Sequence, residues 1–192
     1  AASDVYKRQI LIYTDDQGSI DVGCYGARDL ITPHMDALAA RGTRWTQFYS
    51  AAPVCSPSRA AVLTGRYPQR AGLAGNAGSQ PGSHGMPPEQ VTMAEMFKAA
   101  GYATGHIGKW HLNGRFNLPG QPQPNDHGFS HWFSTQNNAL PNHKNPYNFV
   151  RNGIPVGPIK GFSAQIVTEE AIRWLQTHRD KEKPFFLFVC YH

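Results

Sequence analysis

Apolar and polar positions alternate along this chain in short regular runs, separated by long polar stretches. Residues 10–13, two isoleucines among them, form a brief apolar run that fits a strand buried on both faces. Thr32 and Pro33 read as N-cap and first helical position, opening a helix through His34, Met35, Leu38 and Ala39 that stops at Gly42. From Thr43 to Tyr49, Trp45 and Phe48 alternate with polar residues, which predicts a strand. Arg59 to Leu63 predicts a short helix closed by Thr64 and Gly65, with Pro57 in its first turn, where a missing N–H costs nothing. Thr92 and Glu95 form a capping box for a helix with Met93, Met96, Phe97 and Ala100 on one face and Gly101 as its stop. A strand follows from Tyr102 to Ile107. Ile166, Val167, Ala171, Trp174 and Leu175 recur at helical spacing and predict a helix from Phe162 to His178. Phe185 to Tyr191 is a final apolar strand.

The stretches 66–90 and 113–158 read as long ordered loops, a form that usually has a functional reason. In the second, Phe129, Trp132 and Phe133 anchor a turn to the core. Gly72, Gly75 and Gly78 make no dinucleotide fingerprint, since no strand precedes them. The alternation of strands and helices argues an α/β sandwich. There are no internal repeats and no flexible linker.

Composition narrows the function. Of 192 residues, 40% are hydrophobic, enough for a core, and 15 prolines with 19 glycines agree with long loops. The net charge of +5 is spread without a Lys/Arg block, so nucleic acid is not the expected partner. No apolar run reaches the roughly 18 residues a membrane span needs. Cys24, Cys55 and Cys190 form no metal-type CxxC pair. Residues 1–9 resemble a translated sequencing-adapter scar and are set apart from the fold. No signal peptide is visible. The last apolar run stops with nothing after it, so residues 10–192 read as the N-terminal portion of a longer catalytic domain.

Ligands of an open α/β sheet gather beyond the carboxyl ends of its strands. Asp15 and Asp16 follow the first strand. They read as a turn, or as an oxygen pair for a hard ion. Cys55 and Arg59 follow the second. Cys55 reads as a small buried hydrophobe, or as an activated group at a helix start that favours negative charge. Lys109 and His111 follow the third. They read as an exposed lysine with a packed histidine, or as an anion holder with a proton carrier. His192 arrives at the same edge. His34, His84, His106, His127, His131 and His143 are scattered and read as structural or solvated.

Four segments together resemble the N-terminal half of a type I sulfatase of the alkaline-phosphatase-like superfamily. They are residues 10–18; residues 32–39; Cys55-Ser56-Pro57-Ser58-Arg59 with Leu63-Thr64-Gly65; and residues 105–112, which contain Gly108-Lys109-Trp110-His111-Leu112. The resemblance implies a mostly parallel central sheet with helices on both faces. It implies that a separate maturation enzyme oxidises Cys55 to Cα-formylglycine, whose hydrate is the nucleophile. It implies a Ca²⁺ (or Mg²⁺) ion held by Asp15 and Asp16 and touching the residue derived from Cys55. Arg59 would stabilise the nucleophile, Lys109 would bind sulfate and leaving-group oxygens, and His111 would act as base. Asn137 or Asn138 would add a sulfate contact.

The activity implied is sulfuric ester hydrolysis. The substrate expected is a sulfated carbohydrate, because Trp132, Tyr147, Asn137, Asn138, His143 and Arg151 in the long loops suit a sugar. A phosphonate monoester hydrolase or phosphodiesterase of the same superfamily, and a non-catalytic binding protein on this scaffold, are the alternatives. The resemblance places such a protein in the periplasm or outside the cell. It also places further metal ligands beyond residue 192, so the chain alone is expected to be inactive and to bind Ca²⁺ poorly.

Overall fold

Six strands form one sheet in the computed structural model, which describes residues 7–78 and 84–192. In chain order they are β1 (Arg8–Tyr13), β2 (Ala103–Lys109), β3 (His131–Thr135), β4 (Val150–Arg151), β5 (Ile154–Pro155) and β6 (Phe185–Cys190). The order across the sheet is β1-β6-β2-β3-β4-β5. From β1 to β3 all neighbours run parallel, and β4 and β5 complete the far edge as an antiparallel hairpin. The described residues also form four α-helices: α1 (Pro33–Arg41), α2 (Cys55–Thr64), α3 (Met93–Ala99) and α4 (Ser163–Arg173), the last running on into a π-helical turn, Trp174–His178.

The sheet is an α/β sandwich because β6 has no polar face. All six of its residues are buried. Phe186, Phe188 and Cys190 enter a cluster with Ala60 and Leu63 of α2 and Ala94 of α3. Phe185, Leu187 and Val189 enter a second cluster with Ile166, Val167 and Ala171 of α4 and the adjoining Trp174. The period-two alternation therefore feeds two separate cores, with helices on both faces. Each fully buried Phe, Leu or Val there contributes roughly 1.5–3 kcal/mol.

The capping box of α3 forms as expected: Thr92 Oγ1 accepts from Glu95 N at 3.2 Å and Glu95 Oε2 from Thr92 N at 2.8 Å. Met93 and Phe97 pack on the core from that helix, but Met96 is exposed.

Other expectations need correction. β1 is an edge strand, not one buried on both faces. It starts at Arg8, and its exposure alternates so that Ile10 and Ile12 face outward. The stretch Thr43–Tyr49 forms no strand, and Trp45, Phe48 and Tyr49 are exposed. The presumed loop 113–158 contains β3, β4 and β5. Residues 1–6 and 79–83, within the expected scar and the first long loop, lie outside the described residues.

The chain divides into two units, residues 14–50 and the remainder. Within residues 14–50, α1 runs between Thr32 and Gly42 as its sequence signals predict. Thr32 is its N-cap residue, as expected, but the side chain makes no capping hydrogen bond. Its hydroxyl accepts from Gly23 N (2.8 Å) and donates to the Asp36 carboxylate (3.2 Å), which also accepts from Cys24 N (2.6 Å). This pins the 3₁₀ turn Gly23–Tyr25 to the helix. No residue of α1 is buried; Met35 and Leu38 are exposed.

Candidate active site

The start of α2 is an N-terminus with no side-chain cap from its N-cap residue, Val54. Cys55 is the first helical residue, not the one ahead of the helix. Of the free N–H groups expected there, Pro57 lacks one and that of Ser56 donates to Asn76 Oδ1 at 3.0 Å. The Ser56 hydroxyl donates to the His111 carbonyl and accepts from Ala77 N at 3.0 Å. Ser56 thus stitches the helix start to the exit of β2 and to the loop at 76–78.

That exit depends on one glycine. Gly108 has φ 107°, and a Cβ there would lie 1.7 Å from the Cys190 carbonyl oxygen on β6. The two strand ends approach so closely that only glycine fits. Beyond it the chain stays tied to the residues after β3, with Trp110 N donating to Thr135 O (3.0 Å) and His111 N to Gln136 O (2.6 Å). His111 takes a left-handed backbone, φ 50°. This is uncommon for a residue with a side chain, and such positions cluster at functional sites.

These constraints gather most of the predicted site. Lys109, 2% exposed, donates from Nζ to Cys55 Sγ at 3.3 Å and to Asn138 Oδ1 at 3.4 Å. Arg59, 1% exposed, donates from Nη1 to the Lys109 carbonyl at 2.7 Å. Its guanidinium lies 5.3 Å from the ring centre of Tyr13, and the Tyr13 hydroxyl meets Ser58 Oγ. Two buried cations therefore flank the helix start that bears Cys55, where the helix dipole adds further positive potential. His192 reaches the same edge, its Nε2 hydrogen-bonding Thr135 Oγ1 at 2.8 Å while that hydroxyl donates to Asn137 O at 2.6 Å.

Next to His111 opens a cavity of about 530 Å³, with Asn76, Arg115, Asn117, Gln136 and Asn137 on its walls. The buried Asn137 Oδ1 has no hydrogen-bond partner among the described residues.

His106 belongs to the core, as its scattered sequence setting implied. Its ring packs against Trp110, Phe129 and Phe188 and meets Ser134 Oγ at 2.7 Å. Burial, and then the nearby Arg59 charge, push its pKa down to about 3, so it stays neutral.

Some predicted residues lie elsewhere. Arg151 does not serve a sugar rim: it forms a bidentate pair with Glu170 of α4, at 2.8 and 2.7 Å. Trp132 is 4% exposed and packs edge-on against Phe116, so it offers no stacking face. Tyr147 and His143 are exposed. His143 Nδ1 meets Ser163 Oγ at 3.0 Å. Sequence reasoning missed Ser56 and Asn76 as braces. Ser56 sat inside the motif, whereas nothing in the pattern marked Asn76.

Asp15 and Asp16 belong to the 14–50 unit, directly after β1. Asp16 has φ 34°. As paired carboxylates they suit a hard divalent ion in donor type, but they supply only two residues of its shell. Among the described residues, no group of three or more His, Cys, Asp or Glu gathers closely enough to hold a metal.

Comparison with known proteins places this geometry. The chain is 41% identical to mouse steryl-sulfatase over 178 residues, covering 86% of this chain and 28% of that protein. It is 37% identical to rat N-acetylgalactosamine-6-sulfatase over 205 residues, covering 93% and 38%. Among solved structures, Ps i-CgsB in complex with k-i-k-neocarrahexaose superposes with a TM-score of 0.84 at 31% identity, covering 96% of this chain and 44% of that one. The chain thus spans 28–44% of the length of each. The family model described as Sulfatase matches residues 8–192. The C-x-P-S-R helix start, its buried lysine and arginine, and this match from β1 to the last residue show that the chain belongs to the sulfatase family.

Proposed function

We propose that the protein carrying this chain hydrolyses sulfate monoesters of a carbohydrate, using a Cα-formylglycine made from Cys55. The observation that carries this reading is the buried Lys109 ammonium at 3.3 Å from Cys55 Sγ, with Asn138 Oδ1 as its second acceptor. When mature, the residue supplies an aldehyde hydrate as oxygen nucleophile; in the present geometry the cysteine sulfur stands in for that oxygen.

Lys109 donates to the nucleophile position and stabilises negative charge there and on sulfuryl oxygens brought beside it. Arg59 adds a second buried positive charge beneath the site, where low dielectric strengthens its effect. His111 accepts a proton at the nucleophile oxygen. The amide of Asn137 or Asn138 orients the sulfate. Asp15, Asp16 and the Cys55-derived oxygen are proposed ligands of Ca²⁺, or of Mg²⁺; a bound divalent ion would neutralise charge on the ester as a Lewis acid.

The reading includes a maturation enzyme as partner. Pro57 and Arg59 of the motif are buried, so that enzyme must reach the segment before the fold closes over it. A periplasmic or extracellular site of action is part of the same proposal. Among the described residues no helix is long and apolar enough to cross a membrane.

For the substrate, the cavity beside His111 is lined by four asparagines, Asn76, Asn117, Asn137 and Asn148, and by Gln136. Amides suit hydroxyl groups better than a fused apolar ring system does. Two of the similar proteins point the same way by their names, one acting on N-acetylgalactosamine 6-sulfate and one bound to a neocarrahexaose.

The test has two parts. Co-expression with a formylglycine-generating enzyme should give a Cys55 peptide lighter by about 18 Da, a product off the ordinary thiol oxidation ladder. The matured full-length protein should then turn over a sulfated sugar in preference to a sterol sulfate or a phosphate diester. An unmodified peptide, or preference for either of the other two substrates, would overturn the reading.

A further inference from the structure

Among the described residues, the cavity beside His111 has one Lys or Arg on its walls. That residue is Arg115, and among the described residues no Asp or Glu lines the space. Nor does Arg115 form a salt bridge among the described residues.

The backbone that presents this arginine is held unusually firmly for a loop. Gln121 Oε1 accepts from Gly114 N (2.7 Å) and Arg115 N (3.1 Å). Gln123 Nε2 donates to the carbonyls of Arg115, Leu118 and Gln121 at 2.9, 3.1 and 3.0 Å, and its Oε1 accepts from Asn117 N at 2.8 Å. Asn113 Nδ2 closes the loop onto Pro122 O at 2.6 Å, and Gln136 Nε2 ties Asn113 O to the far wall at 2.7 Å. Two glutamine side chains thus replace the ladder that a strand or helix would give. Arg115 hangs from a fixed point, and little conformational freedom of the backbone is lost on binding. A guanidinium left without a carboxylate, on a pre-organised wall of amides, is built for an anion.

We infer that Arg115 reads a second anionic group on the substrate, a carboxylate or a further sulfate of the sugar chain, separate from the ester that is cleaved. The inference rests on the proposed sulfatase reading and narrows it, from any sulfated sugar to a polyanionic glycan. Arg115 is then a specificity residue, distinct from Lys109 and Arg59, which face the reacting group.

The test uses the matured full-length enzyme, its Arg115→Gln and Arg115→Lys variants, and four substrates. These are 4-nitrophenyl sulfate, a monosulfated neutral disaccharide, the same disaccharide with a second sulfate, and one with a uronate carboxylate. The wild type should favour at least one dianionic sugar over the neutral one by about tenfold to a hundredfold in kcat/KM, the range of a charge-assisted hydrogen bond. Whichever of the two it favours identifies the second group. In Arg115→Gln the preference should collapse, mainly through KM, while Arg115→Lys keeps part of it. Raising the salt concentration should shrink the wild-type preference, since Arg115 lies at an exposed mouth. Preference retained in Arg115→Gln, or an equal fall on all four substrates, overturns the inference and leaves the sulfatase reading standing. Failure of the wild type to turn over any sulfate ester sinks the sulfatase reading, and this inference with it.

Discussion

Glu170 is the most consequential charge outside the site, and replacing its partner gives a quantitative prediction. Its carboxylate is 3% exposed on α4. Burial alone would raise its pKa; the nearby His131, the bidentate pair with Arg151 and the charge of Arg173 outweigh burial and hold it at about 2. Against an ordinary value of 4.5, that difference corresponds to about 3 kcal/mol for the cluster as a whole. Arg151 supplies only part of it, and its side chain is one-third exposed, so its share is about 2 kcal/mol after screening. Arg151→Met keeps an apolar stem over Phe133, where the guanidinium now lies 4.9 Å from the ring centre, but leaves Glu170 without its fork. Because the folded pKa is depressed, the stabilisation is complete above pH 4.5 and lost as pH falls towards 2. The wild-type advantage over Arg151→Met should therefore grow from near zero at pH 2 to about 2 kcal/mol at pH 6. Urea unfolding followed by the fluorescence of buried Trp174 measures it, and a cycle with Glu170→Gln isolates the pair. A difference below about 0.5 kcal/mol, or one that does not change with pH, would refute the reasoning.

Three further outcomes are expected. Lys109→Met removes the donor to Cys55 Sγ and should lower kcat of the matured enzyme by at least about a hundredfold, with the Cys55 peptide still converted in mass spectrometry. Gly108→Ala forces a Cβ to 1.7 Å from the Cys190 carbonyl at φ 107°, and should destabilise the fold by more than about 4 kcal/mol in thermal unfolding by circular dichroism. His106, neutral in the fold with a pKa of about 3, makes stability fall as pH drops below 6.5, by up to about 1.4 kcal/mol per pH unit; His106→Phe should flatten that limb between pH 6 and 4 in urea titrations.

The sequence was most legible where a local rule and the tertiary environment agreed. The Thr92–Glu95 box opens α3 because both of its hydrogen bonds are local. The Phe185–Cys190 run is a strand because an apolar stretch of that length, buried on both faces, fits the centre of a sheet. The cluster of Cys55, Arg59, Lys109 and Asn138 was legible only through the family motif, since no spacing rule brings residue 55 to residue 109. Alternation misled at Thr43–Tyr49, which pairs with no strand among the described residues. It also failed at β3, where the polar Ser134 is buried and hydrogen-bonded to His106, and His131 Nε2 lies 3.8 Å from the Glu170 carboxylate. Arg151 looked like a binding residue for the same reason: its carboxylate partner lies on another element, 19 residues on.

The position of β6 sets the order of events in folding. It follows β1 and β2 in the chain yet lies between them, and among the described residues those two strands are joined only through it. Until residues 185–190 emerge, the N-terminal strand has no partner and both cores lack their common wall. Parallel pairing across such sequence distances is slow, and meanwhile β1 leaves unpaired the edge that β6 will take. Nascent chains stalled before Phe185 should bind chaperones more tightly than chains in which residues 185–190 have emerged. On the proposed maturation of Cys55, that same open interval is when a modifying enzyme would reach it.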